Sequence, residues 1–494
     1  MERPSVLVLA KTGYIIRDIL LGTFTDELLS HLDLIVAVPD PNDESLRKLA
    51  AGKPISYIPF FRESLPQTKR EQYLGATHWL YRFKQIERDN PSLEIVTRLY
   101  EPSLSGKREY LVRGATLAGK VVDRLGLMGV AEQFFLEAIA RREITRQWTD
   151  VLAQLNPAAI VSTALTLPEG FFGVSADLPV LLAAHRVGIP SGSLIQSWDN
   201  LSSKTYILPP WLDRFWTWSE TMSEELFFYN PRICREKVRI VGSPHFDFHR
   251  IPTLQIPRQE FVPTLGMNPN HPYVVIGTGT RKLLPDEPKT VTSLVRRLRG
   301  SYPQLQILLR VHPKDVASRW SGHFDELRKL GAVIQKPIPD KPMDSGGFTT
   351  PQQFFCEQIN TLRHAAVVIN TASSLTVDAA ILDTPVISLG YDLTGSDTTF
   401  PEGRSWFYNR SAHFGPLVET GGVWVVDSEE VCVAAVESYL LNRDLHQEQR
   451  CQIAHKVGGP LDGEAGTRLA HEVVCLALEQ PSSRHVPQTS QAIA

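Results

Sequence analysis

The turn Asn370-Thr371-Ala372-Ser373-Ser374 is the stretch of this sequence whose residue types point most directly to chemistry. It follows a β-branched run and precedes a helix-like segment that starts at Leu375. Ser373 or Ser374 is predicted to cap that helix, so hydroxyls and unpaired backbone N–H groups would face outward. A phosphate group suits such a helix end. Asp378, about one turn further on, is placed to reach a ribose hydroxyl, and Thr371 completes the predicted phosphate-binding set.

Two other predicted strand ends carry hydroxyl or cationic side chains. Arg310 and His312 end one strand with a valine between them, so both side chains can project to the same side of the sheet. Thr278, Arg281 and Lys282 lie in a glycine-rich loop after another strand, where an anion can approach closely. Ligands of open parallel sheets bind outside the carboxyl ends of the strands. Together the three strand ends predict one site for a nucleotide diphosphate.

Other interpretations of these motifs remain open. A surface turn with incidental charge also explains Arg310 and His312. The glycine-rich loop matches GxGxxG only in its first half, and no helix follows it directly, so a dinucleotide site is not predicted. Lys11-Thr12-Gly13 follows the first predicted strand but lacks the GxxxxGK pattern of a Walker loop.

The N-terminal half supplies candidates for the acceptor side of a site. The segment Ser197–Lys204 is predicted to be a loop that leaves a strand, and it combines aromatic, polar and charged side chains. The predicted acceptor-side residues are Trp198, Asn200 and Lys204, with Gly13 after the first strand. The predicted catalytic residues are Asp199 as first candidate base, His245 as second, and His312 near the leaving group. Each base candidate also has a structural explanation, since Asp199 could stabilise its own turn and His245 could pack under a hinge.

Alternating strand and helix patterns place these motifs in two α/β domains. Residues 1–247 are predicted to form the first, with a helical insertion at about 62–150 that is rich in Arg, Lys and aromatic residues. Such a basic-aromatic face suits a membrane surface or an anionic acceptor, although a solvated face over a core stripe is the simpler explanation. Residues 248–270 contain four prolines and are predicted to be the linker. Residues 271–480 form the second domain and 481–494 a flexible tail.

The composition is that of an ordinary globular protein. Hydrophobic residues make up 43% and charged residues 21%, and the net charge of −3 provides no general attraction for nucleic acid. The five cysteines are scattered, which favours a reducing compartment. No signal peptide and no apolar stretch of about 20 residues is present. A cytoplasmic protein is therefore expected, with peripheral contact at the inner face of the membrane.

Three motifs together resemble the GT-B glycosyltransferase superfamily. They are Gly242-Ser243-Pro244-His245-Phe246-Asp247, Arg310-Val311-His312-Pro313, and the serine turn with Asp378-Ala379-Ala380 and Thr384-Pro385-Val386-Ile387. The similarity is closest to the branch with the CDP-glycerol glycerophosphotransferases and related surface-polysaccharide transferases, and it covers roughly residues 190–475. It implies an α/β protein of the GT-B class, with two facing Rossmann-like domains, parallel sheets and a helical insertion in the N-terminal domain. It also implies Ser373 and Ser374 near the donor diphosphate, Asp378 near the ribose, and Arg310 and His312 near the leaving group.

The function that this resemblance implies is transfer of a sugar or polyol phosphate from a nucleotide-activated donor to a hydroxyl acceptor, in surface or extracellular glycan biosynthesis. Glycerophosphotransferases usually carry a Trp-His-Gly-type motif where this chain has Ser197-Trp198-Asp199-Asn200, so both kinds of donor stay open. The expected partners are a UDP-sugar or CDP-linked donor and a glycan or lipid-linked acceptor. No nucleic acid, cofactor or metal is expected. The sequence contains no Asp-x-Asp, and the His245 and His249 spacing falls in a predicted turn.

Two alternative functions remain. A sugar-nucleotide epimerase like UDP-GlcNAc 2-epimerase shares the fold but needs acid and base carboxylates near the sugar, and the sequence reveals no convincing pair. A non-catalytic nucleotide-binding scaffold would not need the serine turn, Arg310, His312 and Asp378, and their presence argues against it.

Overall fold

The computed structural model describes residues 3–20, 22–49, 52–61, 90–100, 107–166, 175–204, 208–313, 315, 317–335, 351–393 and 400–479. Within these residues the chain forms one seven-stranded and one six-stranded sheet, with strand orders β3-β2-β1-β4-β5-β6-β7 and β10-β9-β8-β11-β12-β13. The strands are β1 Ser5–Leu9, β2 Asp33–Val38, β3 Ile55–Pro59, β4 Ala159–Ser162, β5 Ser191–Leu194, β6 Arg214–Thr217, β7 Val238–Ile240, β8 Tyr273–Gly277, β9 Gln306–Arg310, β10 Ala332–Gln335, β11 Val367–Asn370, β12 Val386–Leu389 and β13 Trp424–Val426.

Continuous apolar runs make the central strands, because both faces of each sheet are covered. Neighbouring strands pair in parallel, for example β1 with β2 and β8 with β9. In β1, Val6 and Val8 belong to one hydrophobic cluster while Leu7 and Leu9 belong to another. Successive side chains of a strand point to opposite faces, so a strand that is buried on both sides needs no polar alternation.

Helices connect the strands and cover the sheets. The α-helices are α1 Gly13–Ile15, α2 Thr23–His31, α3 Glu44–Leu49, α4 Pro91–Tyr100, α5 Lys107–Arg124, α6 Met128–Ala140, α7 Glu143–Leu155, α8 Asp177–Val187, α9 Asn200–Ser203, α10 Glu220–Tyr229, α11 Pro244–Asp247, α12 Arg258–Thr264, α13 Glu287–Ser301, α14 His323–Lys329, α15 Pro351–Arg363, α16 Leu375–Ile381, α17 Arg404–Tyr408, α18 Gly415–Val418, α19 Glu429–Leu441, α20 Gln447–Gly458 and α21 Ala465–Leu478. A π-helical turn, Ile16–Leu20, follows α1. Shorter 3₁₀ turns span Arg235–Lys237, Phe248–Arg250, Pro252–Leu254 and Ala317–Trp320.

The last helix, α21, returns to the first sheet. Leu469 and Val473 join the hydrophobic cluster that contains Val6 of β1. The carboxylate of Asp247 accepts hydrogen bonds from the backbone N–H groups of Ala465 and Gly466, at 3.0 and 2.8 Å. Asp247 therefore caps a helix that lies more than two hundred residues further along the chain, and this contact fastens the start of α21 to the segment that follows β7.

Several segments differ from the sequence predictions or fall outside the described residues. The predicted linker 248–270 is ordered by two 3₁₀ turns and by α12. The segment predicted as a loop, Ser197–Lys204, contains the short helix α9. Parts of the predicted insertion, 62–89 and 101–106, and the predicted tail lie outside the described residues. The bounds of the two domains stay a prediction. Helix α21 lies within the predicted second domain, residues 271–480, yet its apolar face is buried against the first sheet.

A glycine substitution tests how tightly α21 is docked. A Cβ at position 466 would lie 2.3 Å from the hydroxyl oxygen of Thr23 and 2.8 Å from the backbone nitrogen of Phe24. We expect Gly466→Ala to lower the free energy of unfolding by about 1–3 kcal/mol, because the helix must move away from α2. Urea denaturation followed by circular dichroism measures this change.

The control is Gly300→Ala near the end of α13, where a Cβ would meet no atom within 4 Å. That substitution should be neutral or should stabilise the protein by about 0.4–1 kcal/mol, because alanine restricts the unfolded chain. Equal effects of the two substitutions would show that α21 is not closely packed.

Candidate functional site

A cavity of about 380 Å³ lies between the two sheets, where the carboxyl ends of their strands face each other. Residues that follow β1, β5, β6 and β7 line it from the first sheet, and residues that follow β8, β9 and β11 line it from the second. The polar and aromatic lining residues are Tyr14, Arg17, Asp18, Gln196, Ser197, Trp198, Asn200, Lys204, Trp218, Ser243, His245, Phe246, Thr278, Arg310, His312, Phe354, Gln358, Ser373, Ser374 and Asp378. Ligands of parallel sheets bind at this edge.

The serine turn forms one wall of the cavity. Ser373 and Ser374 line it, and α16 begins directly afterwards. Ala372 adopts a left-handed backbone conformation with φ of 42°, and its N–H donates to the hydroxyl of Ser388 at 3.1 Å. A non-glycine residue in this region is strained and persists where its surroundings hold it. The turn is therefore a fixed arrangement that presents two hydroxyls to the cavity. Of the two serines predicted to cap α16, Ser374 makes no capping hydrogen bond, whereas the hydroxyl of Ser373 accepts a hydrogen bond from the backbone N–H of Leu375 at 3.3 Å.

Gly277 allows the end of β8 to approach this turn. A Cβ at this position would lie 2.5 Å from the Cδ2 atom of Leu375. A larger residue at this position would require the end of the Leu375 side chain to move. As a result Thr278 and the serine turn line the same wall.

The loops after β8 and β9 are joined by a hydrogen bond from the backbone N–H of His312 to the hydroxyl of Thr278, at 3.0 Å. The backbone N–H of Gly279 donates to the carboxylate of Glu287 at 2.8 Å. That carboxylate also pairs with the buried Arg319 at 2.7 Å. These contacts fix the position of Thr278 and His312 before any ligand binds.

Arg310 lines the cavity but is already paired. Its Nη1 atom donates to Gln335 at 2.6 Å and to the carboxylate of Glu357 at 2.9 Å. The side chain is buried, so these two contacts determine its direction. Arg310 therefore offers a positioned guanidinium whose charge is partly balanced by Glu357.

His245 is held between two carboxylates from different parts of the fold. Its Nδ1 atom lies 3.0 Å from Asp18, and its Nε2 atom lies 3.3 Å from Asp378. Burial opposes the charged form of the imidazole, but these carboxylates outweigh that effect and raise the pKa of His245 to about 9. Burial also opposes ionisation of the two carboxyls, but Arg17 and His245 lower the pKa of Asp18, and His245 and His249 lower the pKa of Asp378. All three groups are therefore charged at neutral pH.

This geometry changes the roles predicted for His245 and Asp378. An imidazole that is protonated at neutral pH cannot accept a proton, so the arrangement argues against His245 as a base. Asp378 lines the cavity as predicted, but His245 and His249 both lie within 3.5 Å of its carboxylate. A ribose hydroxyl would share Asp378 with these two imidazoles.

Asp199 does not line the cavity, and the structure argues against its predicted role as a base. Its carboxylate accepts hydrogen bonds from Ser197 at 2.6 Å and from Ser203 at 3.1 Å, and it pairs with Lys204 at 2.8 Å. Although burial opposes ionisation, Lys204 and the neighbouring His413 hold the pKa of Asp199 far below its usual range. Such a carboxylate is a weak base, and it stabilises its own turn.

The predicted acceptor-side residues are mostly brought to the cavity. Trp198, Asn200 and Lys204 line it from the first sheet. The side-chain amide of Asn200 donates to Thr166 at 2.7 Å, which fixes its orientation. Gly13 is buried at the start of α1 and is not among the lining residues, whereas the next residue, Tyr14, is.

Three residues predicted to bind the donor are outside the cavity lining. Arg281 and Lys282 are exposed on the loop after β8. Thr371 lies in the serine turn, yet its side chain does not line the cavity. The residue types and their positions after the strands did not reveal which of these side chains face the cavity.

The sequence interpretation missed Arg17 and Asp18. Both lie on the π-helical turn after α1, and the Nε atom of Arg17 lies 2.5 Å from the carboxylate of Asp18. The guanidinium of Arg17 is also 3.7 Å from the centre of the Phe354 ring, so a cation–π contact holds it against α15. The available signal was an adjacent pair of opposite charges inside the apolar segment 14–21.

A second cavity, of about 620 Å³, lies on the other side of Trp198. It is lined by Met222, Phe227 and Phe228 of α10 and by His413 and Leu417 of the second domain. The ring of Trp198 makes an edge contact with His413 at 5.0 Å. Trp198 therefore separates two neighbouring cavities, and the second one is mainly apolar.

Two acidic residues, Glu224 and Glu225, line the second cavity. Burial raises the pKa of Glu225 to about 8, and nearby Asp199 contributes in the same direction. This carboxyl is protonated at neutral pH and can donate a hydrogen bond. Burial lowers the pKa of His413 to about 4, so its imidazole is neutral.

Potential metal ligands cluster elsewhere. Among the described residues, Glu27, His31 and His471 are the group whose ligand atoms all lie within 4.8 Å of one another. They are on the surface of α2 and α21, outside the cavity lining. His245 and His249 do not form such a group, and the absence of a catalytic metal stays a prediction.

The overall fold is similar to several solved structures. UDP-GlcNAc 2-epimerase from Neisseria meningitidis, bound to UDP-GlcNAc, superposes with a TM-score of 0.52 at 13% identity, covering 95% of this chain and 99% of that chain. A glycosyltransferase from Rickettsia africae gives 0.51 at 11% identity, covering 97% and 100%. A UDP-glucosyltransferase from Polygonum tinctorium gives 0.50 at 13% identity, with the same coverage. No model of a known protein family matches the sequence, and no curated protein matches it.

These similarities show that the protein has the GT-B fold, with two Rossmann-like domains that each contain a parallel sheet. The predicted fold class is thereby confirmed. At such low identities the similarity extends to the fold alone. The reaction has to be inferred from the cavity.

The charge of His245 predicts a pH dependence of stability. Its pKa in the folded protein, about 9, is above the ordinary value of 6.5. The protonated imidazole therefore contributes its full stabilisation below about pH 6.5, and the contribution is lost as the pH rises toward 9. We expect the difference in Tm between the native protein and His245→Gln to be largest near pH 6 and to shrink toward pH 9.

The control is His455→Gln on the exposed side of α20. The difference in Tm between the native protein and this variant should not shrink between pH 6 and pH 9 in the way expected for His245→Gln. Thermal denaturation in a series of buffers provides the measurement. A constant difference between the native protein and His245→Gln across this range would contradict the buried charged arrangement.

Proposed function

We propose that the protein is a GT-B glycosyltransferase-type enzyme that transfers a sugar or polyol phosphate from a nucleotide-activated donor to a hydroxyl acceptor. The observation that supports it most is the convergence of Ser373, Ser374, Thr278, Arg310 and His312 on one wall of the cavity between the sheets. Hydroxyls and cationic side chains at the carboxyl end of a parallel sheet suit a nucleotide diphosphate. The resemblance of the sequence motifs favours a cytoplasmic enzyme that acts in surface or extracellular glycan biosynthesis. Among such enzymes, it favours the branch of the CDP-glycerol glycerophosphotransferases.

The proposed chemistry relies on stabilising the leaving nucleotide. Cleavage of the donor builds negative charge on the leaving nucleotide, which is a nucleoside diphosphate for a sugar donor and a nucleoside monophosphate for a CDP-linked polyol. Positioned donors that face this charge lower the barrier, since they need no reorganisation during the reaction. Arg310 and the two serine hydroxyls would contact the diphosphate, and His312 would lie beside the breaking bond. The positive charge of His245 is balanced by Asp18 and Asp378, so His245 holds the two walls together and is not one of the groups that face the leaving phosphate.

The acceptor would approach from the wall formed by Trp198, Asn200 and Lys204. The second cavity beyond Trp198 offers additional room for an acceptor with an apolar part. Neither predicted base fits, because Asp199 is outside the cavity and His245 is protonated. Asp18, on the first-domain wall, is the carboxylate best placed to orient the acceptor hydroxyl.

One observation favours epimerisation as a second candidate. Asp18 and Asp378 both line the cavity, which supplies the carboxylate pair that the sequence did not reveal. Several proteins of similar fold are UDP-GlcNAc 2-epimerases. Both carboxylates are tied to His245 and are ionised, so neither is placed to act as an acid. Transfer is therefore the better supported of the two.

Product analysis separates these functions. Purified protein is incubated with UDP-sugars or CDP-glycerol, with and without candidate hydroxyl acceptors, and the products are resolved by mass spectrometry and chromatography. Nucleotide release that requires an acceptor supports transfer. An isomerised donor without acceptor supports an epimerase, and nucleotide binding without either product supports a non-catalytic scaffold.

The serine turn provides a matched pair of variants. Ser374→Ala removes a hydroxyl that lines the cavity, whereas Thr371→Val removes one from the same turn that does not line it. A hydrogen bond to a charged group is worth about 1.5–3 kcal/mol. We expect Ser374→Ala to weaken UDP or CDP binding by roughly tenfold to a hundredfold, and Thr371→Val to leave it nearly unchanged. Isothermal titration calorimetry measures both. Equal affinities for the two variants would remove the serine turn from the donor site.

A tryptophan pair tests the acceptor side. Trp198→Phe opens the partition between the two cavities. The control, Trp211→Phe, changes a ring that lines neither cavity and that stacks on His185 with ring centres 4.3 Å apart. We expect Trp198→Phe to lower kcat/KM for the acceptor by roughly tenfold while nucleotide affinity is preserved. Steady-state kinetics with the acceptor found by product analysis measures this effect. If Trp198→Phe instead lowered nucleotide affinity and left kcat/KM for the acceptor unchanged, the division into a donor wall and an acceptor wall would be contradicted.

A further inference from the structure

Helices α5 and α6 expose an unusual number of large apolar side chains. Tyr110 and Phe134 are 76% and 75% exposed, and Leu117 is 66% exposed. Among the described side chains of the two helices and of the turn between them, the exposed large apolar ones are Tyr110, Leu117, Val121, Leu125, Leu127, Val130 and Phe134. This set is named the α5–α6 apolar surface. An exposed apolar surface of this extent is uncommon on a soluble protein and marks an interaction site.

The spacing of these residues makes the surface continuous. Tyr110, Leu117 and Val121 are separated by seven and four positions, which places them along one face of α5, and Leu125 follows in the turn directly after the helix. Val130 and Phe134 are four positions apart on α6. The opposite side of α6 is also apolar, since Phe135 and Ile139 are buried in the core. Helix α6 is therefore apolar on two sides, and the core covers only one of them.

Basic residues accompany the apolar surface. Lys120 and Arg124 are exposed, and their positions on α5 lie beside the stripe of Leu117 and Val121. The sequence of α5 contains five basic and two acidic residues. An apolar helix face bordered by lysine and arginine fits the boundary between acyl chains and anionic headgroups. The charge also disfavours contact of this surface with a second copy of itself, because like charges would meet.

The location of the surface connects it to the acceptor side. Glu132 of α6 forms an ion pair with Arg232, which follows the C-terminal end of α10. Phe227 and Phe228 of α10 line the second cavity, and Phe228 is itself exposed. Helix α6 is therefore joined to the segment that follows α10, and α10 lines the mainly apolar cavity.

We propose that the α5–α6 apolar surface docks onto a bilayer that contains anionic lipids, with the two helices lying in the plane of the membrane. No helix in the described part of the chain is long and apolar enough to cross a membrane. Resting on the proposed function, docking through this surface brings a lipid-linked acceptor next to the second cavity. The side chains Leu117 and Phe134 enter the acyl boundary, and Lys120 and Arg124 contact the headgroups.

The test is co-sedimentation of the full chain with vesicles of phosphatidylcholine alone and of phosphatidylcholine mixed with phosphatidylglycerol. Binding should require the anionic vesicles and should weaken as salt is added. The double variant Leu117→Ser and Phe134→Ser should bind the anionic vesicles at least roughly tenfold more weakly than the native protein. The double variant Lys120→Glu and Arg124→Glu should lose a similar factor. The control Leu441→Ser changes a single apolar side chain that is 82% exposed on α19, and it should bind like the native protein.

Three outcomes would overturn the proposal. They are no binding to anionic vesicles, equal binding to neutral vesicles with no effect of the substitutions, and native dimers that the Leu117→Ser and Phe134→Ser variant dissociates. Circular dichroism of each variant verifies that it is folded. Nucleotide affinity is measured in parallel, because it does not depend on the membrane. A protein that binds nucleotide but not vesicles refutes the docking surface alone, and one that binds vesicles but not nucleotide refutes the proposed function alone.

Discussion

The position of His245 between Asp18 and Asp378 is the constraint on which the rest of the site depends. Asp18 belongs to a π-helical turn of the first domain, Asp378 to the second domain, and His245 to the segment that leads from one to the other. Buried charges are tolerated only when they are paired, and removing one partner is costly. The two walls of the cavity are therefore held in one relative position by complementary charges. Separating the walls exposes the carboxylates and the imidazolium together.

Close packing sets the second wall just as firmly. Gly277 lets Leu375 approach β8, and the hydrogen bond between Thr278 and the backbone of His312 joins the next two strand ends. Three loops far apart in sequence thus become one surface of hydroxyls and cationic side chains. The function proposed for the protein follows from this convergence, because a diphosphate needs several donors at once. The strained backbone at Ala372 is consistent with a turn whose shape is maintained for binding.

The sequence predicted the parts of the fold that local pattern controls. Apolar β-branched runs identified the parallel strands, and because such strands present their carboxyl ends at one edge, Ser373, Arg310 and Thr278 could be expected together. The sequence could not predict the return of α21 to the first sheet, since an amphipathic helix does not reveal which core will bury it. The role of Asp199 was readable locally, because Ser197, Ser203 and Lys204 lie within five positions of it. Arg17 and Asp18 were missed because a π-helical turn changes which side chains face the cavity.

The measurement that tests the central claim most directly is a crystal structure of the protein with bound UDP or CDP. If the second-domain wall is the donor site, the diphosphate lies within hydrogen-bond distance of the hydroxyls of Ser373 or Ser374 and beside Arg310, in the cavity that contains His245. A nucleotide bound in the second cavity beyond Trp198, or on the exposed loop of Arg281 and Lys282, would contradict the assignment of the donor site.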